Sequence, residues 1–139
     1  MSRSGYSEDL DNWDLIRWRG AVTSAIRGKR GQAMLRELLA ALDAMPVKEL
    51  IVDDLVDADG SYCTLGVLGA ARGLDLQSID PDDPRGVAAA FGIPRSLAAE
   101  IEYENDDGGP WLPHHRTETP AQRWVRMRAW VAKHLKDEP

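Results

Sequence analysis

Cysteine occurs once in this chain, at Cys63, phenylalanine once, at Phe91, and no apolar run approaches the length of a membrane span. A single thiol excludes an internal disulfide and a thiolate-rich zinc site. A spanning helix needs about 18 consecutive apolar residues, and the opening "MSRSGYSEDLDNWD" has no apolar core of the kind a secretion signal carries. The expectation is a cytoplasmic chain with no membrane partner. An excess of basic residues is also missing: 17 Lys and Arg face 23 Asp and Glu, a formal charge of −6. That balance disfavours general attraction of the whole surface to nucleic acid or anionic lipid. What is present, 139 residues of which 43% are hydrophobic, suffices for one globular domain with a sizeable core.

The average charge conceals a polarity along the chain. Residues 1–42 carry seven Lys/Arg against five Asp/Glu, residues 43–107 four against fifteen, and residues 108–139 six against three. An acidic middle is therefore flanked by basic ends. Such a pattern serves internal attraction between solvated loops and basic helices, or it leaves a two-signed surface for charged partners.

Hydrophobic spacing predicts helices. Residues 1–12 are polar and read as a loose N-terminal segment, ahead of a single helical domain over 13–139. Leu15, Trp18, Val22 and Ile26 recur at helical intervals, "RGKRG" interrupts them, and "QAMLRELLAALDAM" resumes with Met34, Leu35, Leu38, Leu42 and Met45 on one face before Pro46. Residues 47–63 fit either a helix through Val47, Leu50, Ile51 and Leu55 or a short hairpin turning at Asp59-Gly60. Beyond them Ser61 can cap a helix ending at Gly73, in which Gly66, Gly69 and Gly73 share one side and admit a close neighbour. Asp83-Pro84 and Pro94 open two further helices, the second with Leu97, Ala98 and Ile101 inward. "NDDGGPWLPHHR" is a loop by composition. Thr119, Pro120 and Gln122 form a capping box in front of the last helix. The fold class is thus mainly α, a compact bundle of five or six helices with room for one short β-hairpin.

The motifs that suggest chemistry are incomplete. "IRGKRGQ" ends like a phosphate-binding loop, but the position five before Gly28 is Thr23, Lys29 is followed by Arg30, and a helix rather than a strand precedes it. It remains a basic turn, Arg27, Lys29 and Arg30, ahead of a helix N-terminus that can contact an anion. "LVDADGSY" aligns Asp57 and Asp59 with a calcium loop, yet places Leu55 and Gly66 where essential ligands belong. Glu102 and Asp106 lie one helical turn apart and could hold a cation, although pairing with arginine is the preferred reading. Cys63 has no histidine placed by sequence to activate it and reads as a buried small hydrophobe. His114-His115 lacks a third ligand at metal spacing. No catalytic residue, cofactor or metal site is assigned.

On the last helix Trp124, Met127, Val131 and Leu135 form the apolar face. Helical geometry sets Arg128 near its centre, so a carboxylate from Glu100–Asp107 is expected to meet it. Arg123, Arg126 and Lys133 surround Trp130, either as a cationic stacking platform for nucleic acid or as an amphipathic rim.

Taken together, "YCTLGVLGAARGL", "AAAFGIPRSLAAEIEYENDDGG" and "TPAQRWVRMRAWV" resemble small uncharacterised proteins of phages and prophages. Those proteins join a Cys-x-Leu-Gly-Val-Leu segment, an FG(I/L)P helix, an Asn-Asp loop and an amphipathic final helix. The matching positions are Cys63, Leu65, Gly66, Val67, Leu68, Phe91, Gly92, Ile93, Pro94, Asn105 and Asp106, within residues 61 to 135. The resemblance implies a viral or mobile-element origin and carries over no activity. It favours a non-enzymatic accessory protein that binds a host protein, a defence component included; the chain's own acidic middle and Trp/Arg rim supply the expected contacts, Trp130, Asp106 and Asp107. The alternative is a nucleic-acid-binding accessory protein using Arg27, Lys29, Arg30, Arg123, Arg126 and Lys133. A homo-oligomer is compatible with either.

Overall fold

A computed structural model describes residues 12–108 and 118–136. Nearly all of the predicted N-terminal segment, and the His114-His115 part of the predicted loop, lie outside the described residues. Six α-helices follow in order: α1 (Asn12–Arg27), α2 (Lys29–Asp43), α3 (Thr64–Ala71), α4 (Pro84–Phe91), α5 (Arg95–Asp107) and α6 (Pro120–His134). The chain is a mainly α bundle, and no strand occurs among the described residues. Of the two alternatives for residues 47–63, the helix does not form, and the hairpin near Asp59-Gly60 reduces to one antiparallel bridge between Val56 and Tyr62. A turn closed by the Asp57 amide on the Ser61 carbonyl joins its two sides.

Helix α2 forms the middle of the bundle, touching α1, α3 and α6, while α5 packs against α1, α3, α4 and α6. The Leu35, Leu38 and Leu42 stripe of α2 is fully buried, as the periodicity predicts. One apolar cluster draws on all six helices, from Val22 and Ile26 through Leu65, Leu68, Phe91 and Leu97 to Trp124 and Met127. Leu15, expected on the inner face of α1, is instead exposed, as are Trp13 and Ile16. The first turns of α1 extend past the neighbours that bury Val22 and Ile26.

Two glycines explain how tightly the helices meet. A Cβ on Gly31 would lie 1.9 Å from the Ala25 carbonyl oxygen, so only a bare backbone lets α2 turn back on α1 across Gly28. A Cβ on Gly66 would lie 2.0 Å from the Leu55 carbonyl oxygen, where α3 presses on the extended 44–63 segment. Gly69 similarly faces Leu76 and Phe91. The predicted close approach is therefore made by Gly66 and Gly69; Gly73 lies beyond the helix at φ 74°.

Local signals set several ends. Thr119 accepts a hydrogen bond from the Gln122 amide and the Gln122 side chain accepts one from the Thr119 amide, completing the expected box. Gly92, at φ 64°, ends α4 in the left-handed region. The cap of α3 differs from expectation: Cys63, not Ser61, holds the N-cap, and its Sγ accepts from the Gly66 amide at 3.4 Å. The hairpin turn consumes Ser61, whose amide donates to Asp57 Oδ1.

Candidate functional site

The residues proposed from sequence as contacts fall into three different environments. At the α1–α2 junction Arg27, Lys29 and Arg30 are all exposed. Beneath them Gln32 is buried and fastens the turn: its Nε2 donates to the Ile26 and His134 carbonyls, and its Oε1 accepts from the Lys136 amide. Lys136 Nζ adds a bond to the Arg27 carbonyl. The start of α2 is thereby tied to the end of α6, and the three cations stand outside that tie.

On α6 the cationic platform, one of the two alternatives for Arg123, Arg126 and Lys133, does not assemble. Arg123 is buried; its guanidinium donates to the Leu50 carbonyl at 2.9 Å, and its Nε lies 3.4 Å from Glu118 Oε1. Burial pulls its pKa below the ordinary guanidinium value, while the Glu118 carboxylate opposes the shift. Arg126 grips Glu118 through two bonds, at 2.6 and 2.9 Å, and donates to the Glu104 and Asn105 carbonyls at the end of α5. Both arginines thus satisfy a helix C-terminus and a loop rather than a solvent-borne anion. Only Lys133 of the group is exposed, and Trp130 is half-buried with its ring centroid 4.5 Å from that of His134.

Arg128 corrects a further expectation. It pairs with Asp43 of α2, at 2.6 and 3.1 Å, and not with a carboxylate of residues 100–107. Because α6 lies along α2, a side chain at the edge of the apolar stripe reaches outward to the rim of α2 while its stem covers the interface. Hydrogen bonding from Arg128 holds the Asp43 carboxyl below its ordinary value.

The acidic end of α5 is structural to a degree the sequence did not announce. Asn105, 1% exposed, is a hub: Oδ1 accepts from the Thr64 amide at 3.0 Å and the Thr64 hydroxyl at 2.7 Å, and Nδ2 donates to the Ile51 carbonyl and to Asp106 Oδ1. Asp106, proposed as a partner contact, is buried and also accepts the Asp53 amide at 3.1 Å. Asp53 takes φ 66°, a left-handed conformation that aspartate tolerates better than most residues, and so its amide faces inward. Glu100 is buried in a two-pronged pair with Arg19 at 2.8 and 3.0 Å. Asp107 is half-buried. Among the described residues no group of three or more His, Cys, Asp or Glu side chains could hold a metal.

Acids do reach the surface in the middle of the chain. Glu49, Asp59, Asp75, Asp80, Asp82 and Asp83 are exposed and Asp57 is half-buried. One of them, Glu49, lines an open groove of about 530 Å³ between α2, α3 and the 44–62 segment. Its apolar lining includes Ala41, Met45, Val47, Ile51, Val67 and Ala70. Sequence periodicity could not reveal this groove, because it is assembled from segments whose contacts are set by Gly66 and by the Asn105 hub. Among the described residues no helix is long and apolar enough to cross a membrane. Compared with protein-family models, curated proteins and solved structures, the chain matches none of them.

Proposed function

We propose that this chain is a non-enzymatic accessory protein, of phage or prophage type, that binds a host protein in the cytoplasm through the acidic surface of its middle third. The phage or prophage origin rests on the resemblance of residues 61–135. One observation carries the binding mode: folding commits Arg123 and Arg126 of α6 to carbonyls and to Glu118, and Arg128 to Asp43, while Glu49, Asp59, Asp75, Asp80, Asp82 and Asp83 stay exposed. A surface so divided attracts basic partners and repels polyanions. A defence component is one host protein of the kind this reading covers.

The exposed Arg27, Lys29 and Arg30 favour a second reading, nucleic-acid binding at the α1–α2 turn. Three clustered cations neutralise at most about three phosphates, so the logarithm of affinity for duplex DNA would fall with the logarithm of salt at a slope near −3. Affinity capture from host lysate, with and without nuclease, separates the two. Retention of one protein after nuclease treatment is the expected result. Loss of all captured protein on nuclease treatment would favour the second reading.

A further inference from the structure

We propose that the outer face of α1 is a self-association surface, on which a second copy of this chain docks antiparallel to form a two-fold dimer. The inference rests on α1 alone and is independent of the acidic-surface reading. Trp18, Val22, Ala25 and Ile26 turn one side of the helix to the core. On the opposite side Trp13, Ile16, Arg17, Gly20 and Ser24 are all exposed. Trp13 is 72% exposed and Ile16 62%, a pair of large apolar side chains left in water next to each other on one face. Seven residues on from Trp13, and within about 20° of it around the helix, stands Gly20, where an added Cβ would meet nothing within 4 Å. The face thus carries a large apolar knob two turns away from a bare notch.

Knob and notch together select the occupant, because such a face is complementary to itself. A two-fold axis crossing between Ile16 and Arg17 sets each Trp13 opposite Gly20 of the other copy, since residues 13 and 20 lie equally far from that point. The bare backbone at Gly20 admits the indole closely. On one flank of this contact each Ile16 meets its own equivalent across the axis. The other flank is charged. Asp14 and Arg17, bonded at 2.7 Å within one chain and both substantially exposed, fall there, so each Arg17 also reaches Asp14 of the second copy. Four charges of alternating sign close into a ring and favour the antiparallel direction. A parallel pair would instead oppose Gly20 to Gly20 across a void and bring the two Asp14 carboxylates together. A lipid surface fits less well, because the face beyond Ile16 carries Gly20, Ser24 and Arg27 and no further large apolar side chain. One pair of four-turn helices is a small interface, so the dimer is reversible, with a dissociation constant on the order of tens of micromolar.

The test is sedimentation equilibrium of the full chain from about 1 µM to about 1 mM, on the wild type and on Trp13→Ala, Gly20→Gln, Asp14→Arg and Arg17→Asp. Gly20 has open space around it and the other three side chains are exposed, so each variant is expected to fold, which thermal melts at the lowest concentration check. The expected result is a monomer–dimer equilibrium that stops at two copies and weakens at least about tenfold in Trp13→Ala and in Gly20→Gln. Each charge reversal alone weakens it about two- to fivefold. An equimolar mixture of the Asp14→Arg and Arg17→Asp chains regains it, because every contact across the axis then joins opposite charges. Misfolding would not be rescued by mixing. A monomer at every concentration, a dimer indifferent to both Trp13→Ala and Gly20→Gln, growth past two copies, or a mixture no tighter than its components would overturn the assignment. So would a monomer that co-sediments with phosphatidylserine vesicles and loses them in Trp13→Ala, since that would give the face to lipid.

Discussion

Asn105 carries more of the architecture than its size suggests, because one amide joins the end of α5, the start of α3 and the Ile51 carbonyl. Replacing it with alanine strands two donors of Thr64 and one acceptor in a nearly dry site. Asn105→Ala should cost about 3 kcal/mol in urea unfolding, and a loss below about 1 kcal/mol would show that water takes over the role. Glu104 behaves in the opposite sense. Burial, and after it the nearby Glu100 charge, push its carboxyl above the ordinary value. A raised folded-state pKa means that stability is fullest below the unfolded pKa and declines as pH rises through the folded one. Glu104→Gln should therefore stabilise the chain at pH 7, by no more than about 0.5 kcal/mol because the group is partly solvated. The gain should vanish below about pH 4, and a gain that instead grew in acid would refute this origin. Neither role was legible beforehand: a sequence shows that Asn105 stands near a helix end, but not which distant amides converge on it.

At the level of the element, the sequence disclosed most where structure is local. The α2 stripe and the Thr119 capping box depend on residues within a few positions of one another, and both occur as periodicity and capping chemistry predict. Arg128 and Arg123 were misplaced because a helical projection records angle alone. Arg128, at the stripe's edge, has a stem long enough to reach Asp43, while Arg123 is drawn inward by the Leu50 carbonyl. Glycines provide the sharpest contrast among elements. Gly20 in α1 has open space where a Cβ would go, whereas Gly66 in α3 has the Leu55 carbonyl. Gly20→Ala should stabilise by about 0.5–1 kcal/mol through helix propensity. Gly66→Ala should destabilise by about 3 kcal/mol or more, since backbone must shift to admit the methyl. Thermal or urea unfolding of the pair checks both, and equal effects would contradict the packing described between α3 and the 44–63 segment.

For the whole molecule, folding turns a charge gradient along the chain into a division between interior and surface. The basic C-terminal helix admitted a nucleic-acid platform as one of two readings because its arginines flank Trp130, yet Arg123 and Arg126 serve carbonyls and Glu118. The acidic middle kept most of its surface character in the 49–59 and 75–83 segments and lost it at Glu100 and Asp106, which became internal ties. Composition could show that acids predominate, but not which of them fold inward.

The most direct measurement is quantitative capture from host lysate after nuclease treatment, comparing the wild-type chain with two charge-neutralised variants. One carries Glu49→Gln, Asp57→Asn, Asp59→Asn, Asp75→Asn and Asp82→Asn; the other carries Arg27→Gln, Lys29→Gln and Arg30→Gln. The account predicts that a protein held by the wild type is lost from the first variant and retained by the second. Retention by the first with loss from the second would contradict it.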